Sequence, residues 1–166
     1  MSSVDVEKIR AEYTAPFYLE LPDLDEAQRE LLACTARGAR FDEVLWMLET
    51  EEWRCRRMGA WFALMRDEPG AVEAIFASLA TSRGEYTAPD LGVALAQRVG
   101  SSALPAIFAC HRRGVEEQRG PQGLLSALVR ELGGDPEPDD ATEVHRARVT
   151  RMRETAARLA ALRPWV

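Results

Sequence analysis

Apolar residues recur at three- and four-residue intervals along most of the chain, and that spacing predicts one helix after another. Residues 3–12 read as a short opening helix with Ser3 as its N-cap. From Leu24 the pattern is nearly unbroken. Leu24, Ala27, Leu31, Leu32 and Thr35 mark one face of a helix that Asp23 or Asp25 caps and Gly38 ends. Asp42 opens the next, with Val44, Leu45 and Leu48 inward, and Trp53–Met65 follows with Met58, Trp61, Phe62 and Met65 on one face. After the break Asp67-Glu-Pro-Gly, a helix over Ala71–Thr81 gathers Val72, Ile75, Phe76 and Leu79. Further helices are predicted over Asp90–Val99, from a Ser101 or Ser102 cap through Pro105, and over Pro121–Leu132. The last, Asp140–Leu162, is capped by Asp139 and stopped by Pro164. No segment alternates with the period of a strand. The fold class is all-α: antiparallel helix pairs in a short stack, with a long C-terminal helix.

Two stretches interrupt the helical pattern. Thr14–Pro22 is bracketed by Pro16 and Pro22 and reads as extended or turn-like, because residues before proline avoid the helical region. Residues 133–140 are the most linker-like. They divide the chain into a helical domain (1–133), a linker (134–139) and a C-terminal helix (140–166) that docks on the domain or on a second subunit. Val149, Met152, Ala156 and Leu159 form the apolar stripe available for that docking, and a homodimer through this helix is one outcome. The pentapeptide Glu12-Tyr-Thr-Ala-Pro16 recurs as Glu85-Tyr-Thr-Ala-Pro89, each with an arginine two residues ahead. Structural repeat and chance both remain open.

Within this pattern Phe41–Met65 resembles one HEAT-type repeat. Leu45 and Leu48 match its first-helix leucines, Glu51 and Glu52 its acidic turn, Cys55-Arg56 the Val-Arg opening of its second helix, and Gly59, Ala60 and Ala63 its small packing positions. A poorer match runs from Ala103 to Val129. The resemblance implies a HEAT-like stack, degenerate because Trp53 and Trp61 are bulky where such repeats are small. The Tyr13-Thr-Ala-Pro-Phe-Tyr-Leu opening and the Trp53-Arg-x-Arg-Arg-Met-Gly-Ala-Trp block also resemble a family of small bacterial proteins of unknown function.

Charge changes the picture. The net charge is −6, yet residues 1–52 carry 13 acids against 5 bases, while residues 53–132 carry 8 against 10. An acidic N-terminal third repels phosphate backbones and attracts a basic protein. The expected partner is therefore a protein with a basic surface, and neither nucleic acid nor membrane. Only Lys8 of the 21 basic residues is lysine, a skew read as base composition of the genome. The N-terminus does not read as a signal peptide, no apolar run approaches the roughly 20 residues of a membrane span, and a cytoplasmic location is expected. Cys34, Cys55 and Cys110 lack metal or redox spacing and are read as reduced, mostly buried thiols.

The candidate residues fall into two groups. Asp23, Asp25, Glu26, Glu30, Glu51 and Glu52 form a partner-binding set that would suit an immunity or antitoxin-type inhibitor. Tyr13, Tyr18, Trp46, Trp53, Arg57, Trp61 and His111 can line a pocket, which would suit a small-molecule binder or biosynthetic enzyme, although aromatic stripes at helical spacing usually form core. Cys110 and His111 are adjacent on a helix and diverge by about 100°, so they do not read as a nucleophilic dyad. Whether the chain is an enzyme stays open, no metal set is written, and no cofactor is expected.

Overall fold

A computed structural model describes residues 4–82, 86–119 and 122–162. Among them there is no strand, and the fold is all-α. A short helix α1 (Val6–Lys8) runs into a π-helical turn (Ile9–Thr14). Then come α2 (Glu26–Gly38), α3 (Phe41–Glu49), α4 (Trp53–Leu64), α5 (Ala71–Thr81), α6 (Ala88–Val99), a 3-10 turn (Gly100–Ala103), α7 (Leu104–Glu116), α8 (Gly123–Glu131) and α9 (Glu143–Ala161).

The helices pair as consecutive hairpins, α3–α4, α5–α6 and α7–α8. The first members α3, α5 and α7 pack side by side in one row, and the second members α4, α6 and α8 in another. The π-helical turn lies against α4, and α9 lies across α6 and α8. The second row is thereby covered, and α4 is buried from Met58 to Leu64 without interruption. Gly59 permits the tight α3–α4 crossing: a Cβ there would stand 3.0 Å from the Leu48 nitrogen and the Met47 carbonyl carbon. Together α6 and α7 span Ala88–Glu116, a stretch long and apolar enough by composition to cross a membrane, which the reading of short apolar runs did not foresee. Here it is divided by Gly100, at φ 62°, and the 3-10 turn, and α6 is packed among α4, α5, α8 and α9.

The cap of α2 is one of the two expected, and others differ. Asp25 caps α2 through the Gln28 N–H at 2.8 Å, and Gln28 answers on the Asp25 N–H at 2.9 Å. Thr142, not Asp139, caps α9, with His145 returning a contact. Asp139 instead accepts from Arg130 and the Ala141 N–H, while Asp140 holds the Gln122 N–H before α8. Ser101 and Ser102 lie in the 3-10 turn and make no cap to α7. On α2 the inward face is Leu32, Ala33 and Ala36, whereas Leu31 is 56% exposed. The Thr14–Pro22 stretch is a chain of turns rather than extended: the Tyr18 N–H reaches the Thr14 carbonyl and the Leu21 N–H the Phe17 carbonyl. Expectations for Ser3, Glu85, Pro121 and Pro164 lie outside the described residues.

The stripe predicted on α9 is buried within the same chain. Val149, Met152, Ala156 and Leu159 join the common core, and the Thr155 hydroxyl donates to the Pro22 carbonyl at 2.7 Å.

The arginines have a common use that their composition did not reveal. The last carbonyls of a helix lack partners within it. Here arginines from elsewhere in the chain reach them: Arg56 donates to Leu48 of α3 (3.1 Å) and Ser78 of α5 (3.2 Å), and Arg66 to Ala36 of α2 (2.8 Å) and to Ala39 (2.7 Å) just after it. Arg98 reaches Leu64 of α4, and Arg37 reaches Leu162 at the end of α9. A planar guanidinium can serve two carbonyls at once, which lysine's point charge does not reproduce.

Candidate functional site

Four residues of the predicted pocket are interior. Trp61 and His111 are completely buried, Tyr13 is 4% and Arg57 8% exposed. Tyr13 donates its hydroxyl to Glu43 (3.1 Å), which Lys8 (3.2 Å) and the Arg40 N–H (2.8 Å) also hold. Burial pushes the Glu43 carboxyl up, but the Arg40 N–H, Lys8 and Tyr13 outweigh it and keep it below its ordinary range. This buried acid was not singled out in the sequence, where only its place three residues after Arg40 hinted at a capping role. Arg57 donates to Asp90 at 3.0 Å and to the Tyr18 and Leu21 carbonyls at 2.9 Å each. Trp61 Nε1–H donates to the same Asp90 oxygen at 2.7 Å. His111 Nε2 lies 2.9 Å from Ser126 Oγ, and Nδ1 has no hydrogen-bond partner among the described residues. Burial lowers the His111 pKa against the opposing pull of Asp140, the Pro138 backbone and Asp139. Burial likewise raises the Cys55 and Cys110 thiols, whereas Cys34 is exposed. Tyr13, Glu43, Arg57, Trp61 and Asp90 are occupied in holding the fold.

An open cleft forms instead where the hairpin turns line up. Its walls are Glu49 at the end of α3, Glu51 in the α3–α4 turn, Trp53 and Arg56 of α4, Thr81 ending α5, and Tyr86 and Thr87 before α6, around about 510 Å³. Trp53 is the one residue of the predicted pocket set found there. Its ring lies 5.4 Å from that of Tyr86 and 6.0 Å from that of Tyr18, while Arg54 stands 4.7 Å over Trp53 and 5.4 Å over Tyr18. Trp46 is half-buried against the core. A second cleft of about 420 Å³ follows along the same edge, between the ends of α5 and α7, lined by Ala80, Thr81, Ser82, Arg113, Glu117 and Arg119. Thr81 belongs to both.

Tyr86 is 71% exposed, whereas Tyr13, its counterpart in the repeated pentapeptide, is buried in the π-helical turn. The two copies hold different backbone settings and share no structural role at these tyrosines.

The acidic set divides as well. Asp23 pairs with Arg151 (3.1 Å), Asp25 is occupied as a cap, and Glu52 pairs with Arg10 (3.0 Å). Glu26, Glu30 and Glu51 are exposed and make no ion pair among the described residues. The three clustered arginines point three ways: Arg54 to the aromatic rings, Arg56 to helix ends and Arg57 to Asp90.

No family model, curated protein or solved structure matches the chain.

Proposed function

We propose that the protein is a non-enzymatic binding module that engages a basic partner protein along the turn edge of its hairpins, in the manner of an immunity or antitoxin-type inhibitor. The observation that carries this reading is the pairing of half-buried Trp53 with exposed Tyr86 beside Glu49 and Glu51. Tryptophan, tyrosine and arginine dominate the energetic centres of protein interfaces. Tyr18, Arg54, Trp53 and Tyr86 are contiguous here, and Leu19, 72% exposed, adjoins Tyr18. Carboxylates that make no ion pair among the described residues lie around this centre, and such charges steer a basic partner and raise its association rate. The HEAT-like reading of Phe41–Met65 fits the same proposal, because rows of stacked hairpins offer extended partner surfaces.

A cleft of about 510 Å³ also falls within the range of roughly 300–1,000 Å³ typical of small-molecule sites, which keeps a ligand-binding role as the second reading. Capture from native lysate with the parent chain and with a Glu51→Gln/Tyr86→Ala variant separates the two. The binding-module reading expects a basic protein that is retained by the parent and lost by the variant. Equal retention by both overturns it, and a small molecule co-purifying with the parent alone favours the second reading.

A further inference from the structure

We infer that the cleft between the α3–α4 and α5–α6 turns receives a single arginine side chain projecting from the partner protein. This rests on the binding-module reading above and names the group that the site recognises.

The charge inside the cleft decides the class of occupant. Glu49 and Glu51 bring two carboxylates, and neither makes an ion pair among the described residues. The carbonyl ends of α3 and α5 converge on the same place, adding partial negative charge. Opposing them is Arg56, whose guanidinium is already bound to the Leu48 and Ser78 carbonyls and to Ser78 Oγ (2.9 Å) and Thr81 Oγ1 (2.5 Å). Arg56 is thus held at the two helix ends and feels Glu51 through space, so the described lining carries one guanidinium against two carboxylates. An anion entering the cleft would meet both of them. A cation meets them and the aromatic wall as well.

The wall selects among cations. Trp53 and Tyr86 are inclined at 40° with centroids 5.4 Å apart, and Arg54, not itself part of the lining, stands 4.7 Å from the Trp53 ring centroid. Aromatic faces attract cations, and a guanidinium can stack flat on a ring while forking to a carboxylate, a combination closed to a compact ammonium. The second cleft on the same edge carries Arg113 and Arg119 with one glutamate, so the cation preference belongs to the first cleft and not to the whole edge.

The test is a titration of the full chain with the blocked peptide acetyl-Gly-Arg-Gly-amide, following the Trp53 indole N–H by nuclear magnetic resonance. Peptides with citrulline or glutamate in place of arginine are run beside it. Citrulline keeps the shape and removes the charge. The expected result is a saturable shift with arginine, about tenfold tighter than with citrulline, and weakened by salt. Glu51→Gln and Tyr86→Ala, both at exposed positions, should each weaken arginine several-fold with an unchanged fold. Equal binding of citrulline, preferential binding of the glutamate peptide, or no saturable shift overturns the inference. Should the peptides fail while the lysate partner is still lost from the Glu51→Gln/Tyr86→Ala variant, the binding module stands and the arginine assignment falls.

Discussion

Replacing Asp90 with alanine removes the acceptor shared by the buried Arg57 guanidinium and the Trp61 indole N–H. Arg57 and Asp90 have side chains only 9% and 5% exposed, and Trp61, whose Nε1–H uses the same oxygen, is fully buried. The substitution leaves a guanidinium and an indole N–H without that acceptor, in a place water does not reach. Breaking a buried pair by deleting one partner typically costs about 3–5 kcal/mol. For a chain of this size each kcal/mol moves the melting temperature by about 2–4 °C, so Asp90→Ala should lower it by about 6–20 °C. Urea unfolding followed by tryptophan fluorescence reads the same loss as a lower midpoint at constant slope. Asp90→Asn keeps an oxygen for the Trp61 N–H and should cost clearly less. Arg57→Leu combined with Asp90→Ala should fall short of the sum of the single changes, because the two share one network. A loss below about 1 kcal/mol for Asp90→Ala would mean that the pair behaves as an exposed one and is not buried as described.

Gly59→Ala should destabilise by about 1–3 kcal/mol, because the new Cβ meets α3 backbone at 3.0 Å and the helices must separate; a neutral effect in urea unfolding would mean that the crossing is looser than described. Thr142→Ala should cost about 1 kcal/mol by removing the cap of α9, measured in the same way. Stability should fall on acidification in two stages, followed as the urea midpoint against pH. His111 has a lowered folded pKa, so its contribution is complete above the ordinary value of about 6.5 and declines below it. Glu43 is held below the usual carboxylate range, so its contribution persists above about 4.3 and is lost as pH falls through its folded value. His111→Gln should abolish the first stage and leave the second, and an unchanged profile would contradict the assignment.

Helical spacing was legible because nearly every helix buries one face, and α5 has the bounds its periodicity implies. The α2 register was not. Leu31 is the stronger apolar residue, yet Ala33 and Ala36 face inward, since small side chains let α2 approach α4 and α9. The arginine skew looked compositional because a carbonyl at a distant helix end leaves no mark beside the arginine that reaches it. At the site, Trp53 was visible as an aromatic and Glu51 as an acid, but nothing local brings Glu49, Thr81, Tyr86 and Thr87 together. That meeting depends on two hairpins stacking with their turns in register. Trp61 and Arg57 look functional in sequence for the reason that makes them structural: buried polar atoms require partners, and the chain supplies Asp90 and two backbone carbonyls, while Ser126 meets one nitrogen of His111.

On the proposed reading, a partner seats on the hairpin turns around Trp53 and Tyr86. Amide hydrogen exchange of the full chain, with and without the basic protein captured from lysate, tests it most directly. Binding should slow exchange in residues 49–56, 81–82 and 86–87, with little change across α2 and α9. Protection centred on Glu26 and Glu30 of α2, with the turn edge unaffected, would contradict it.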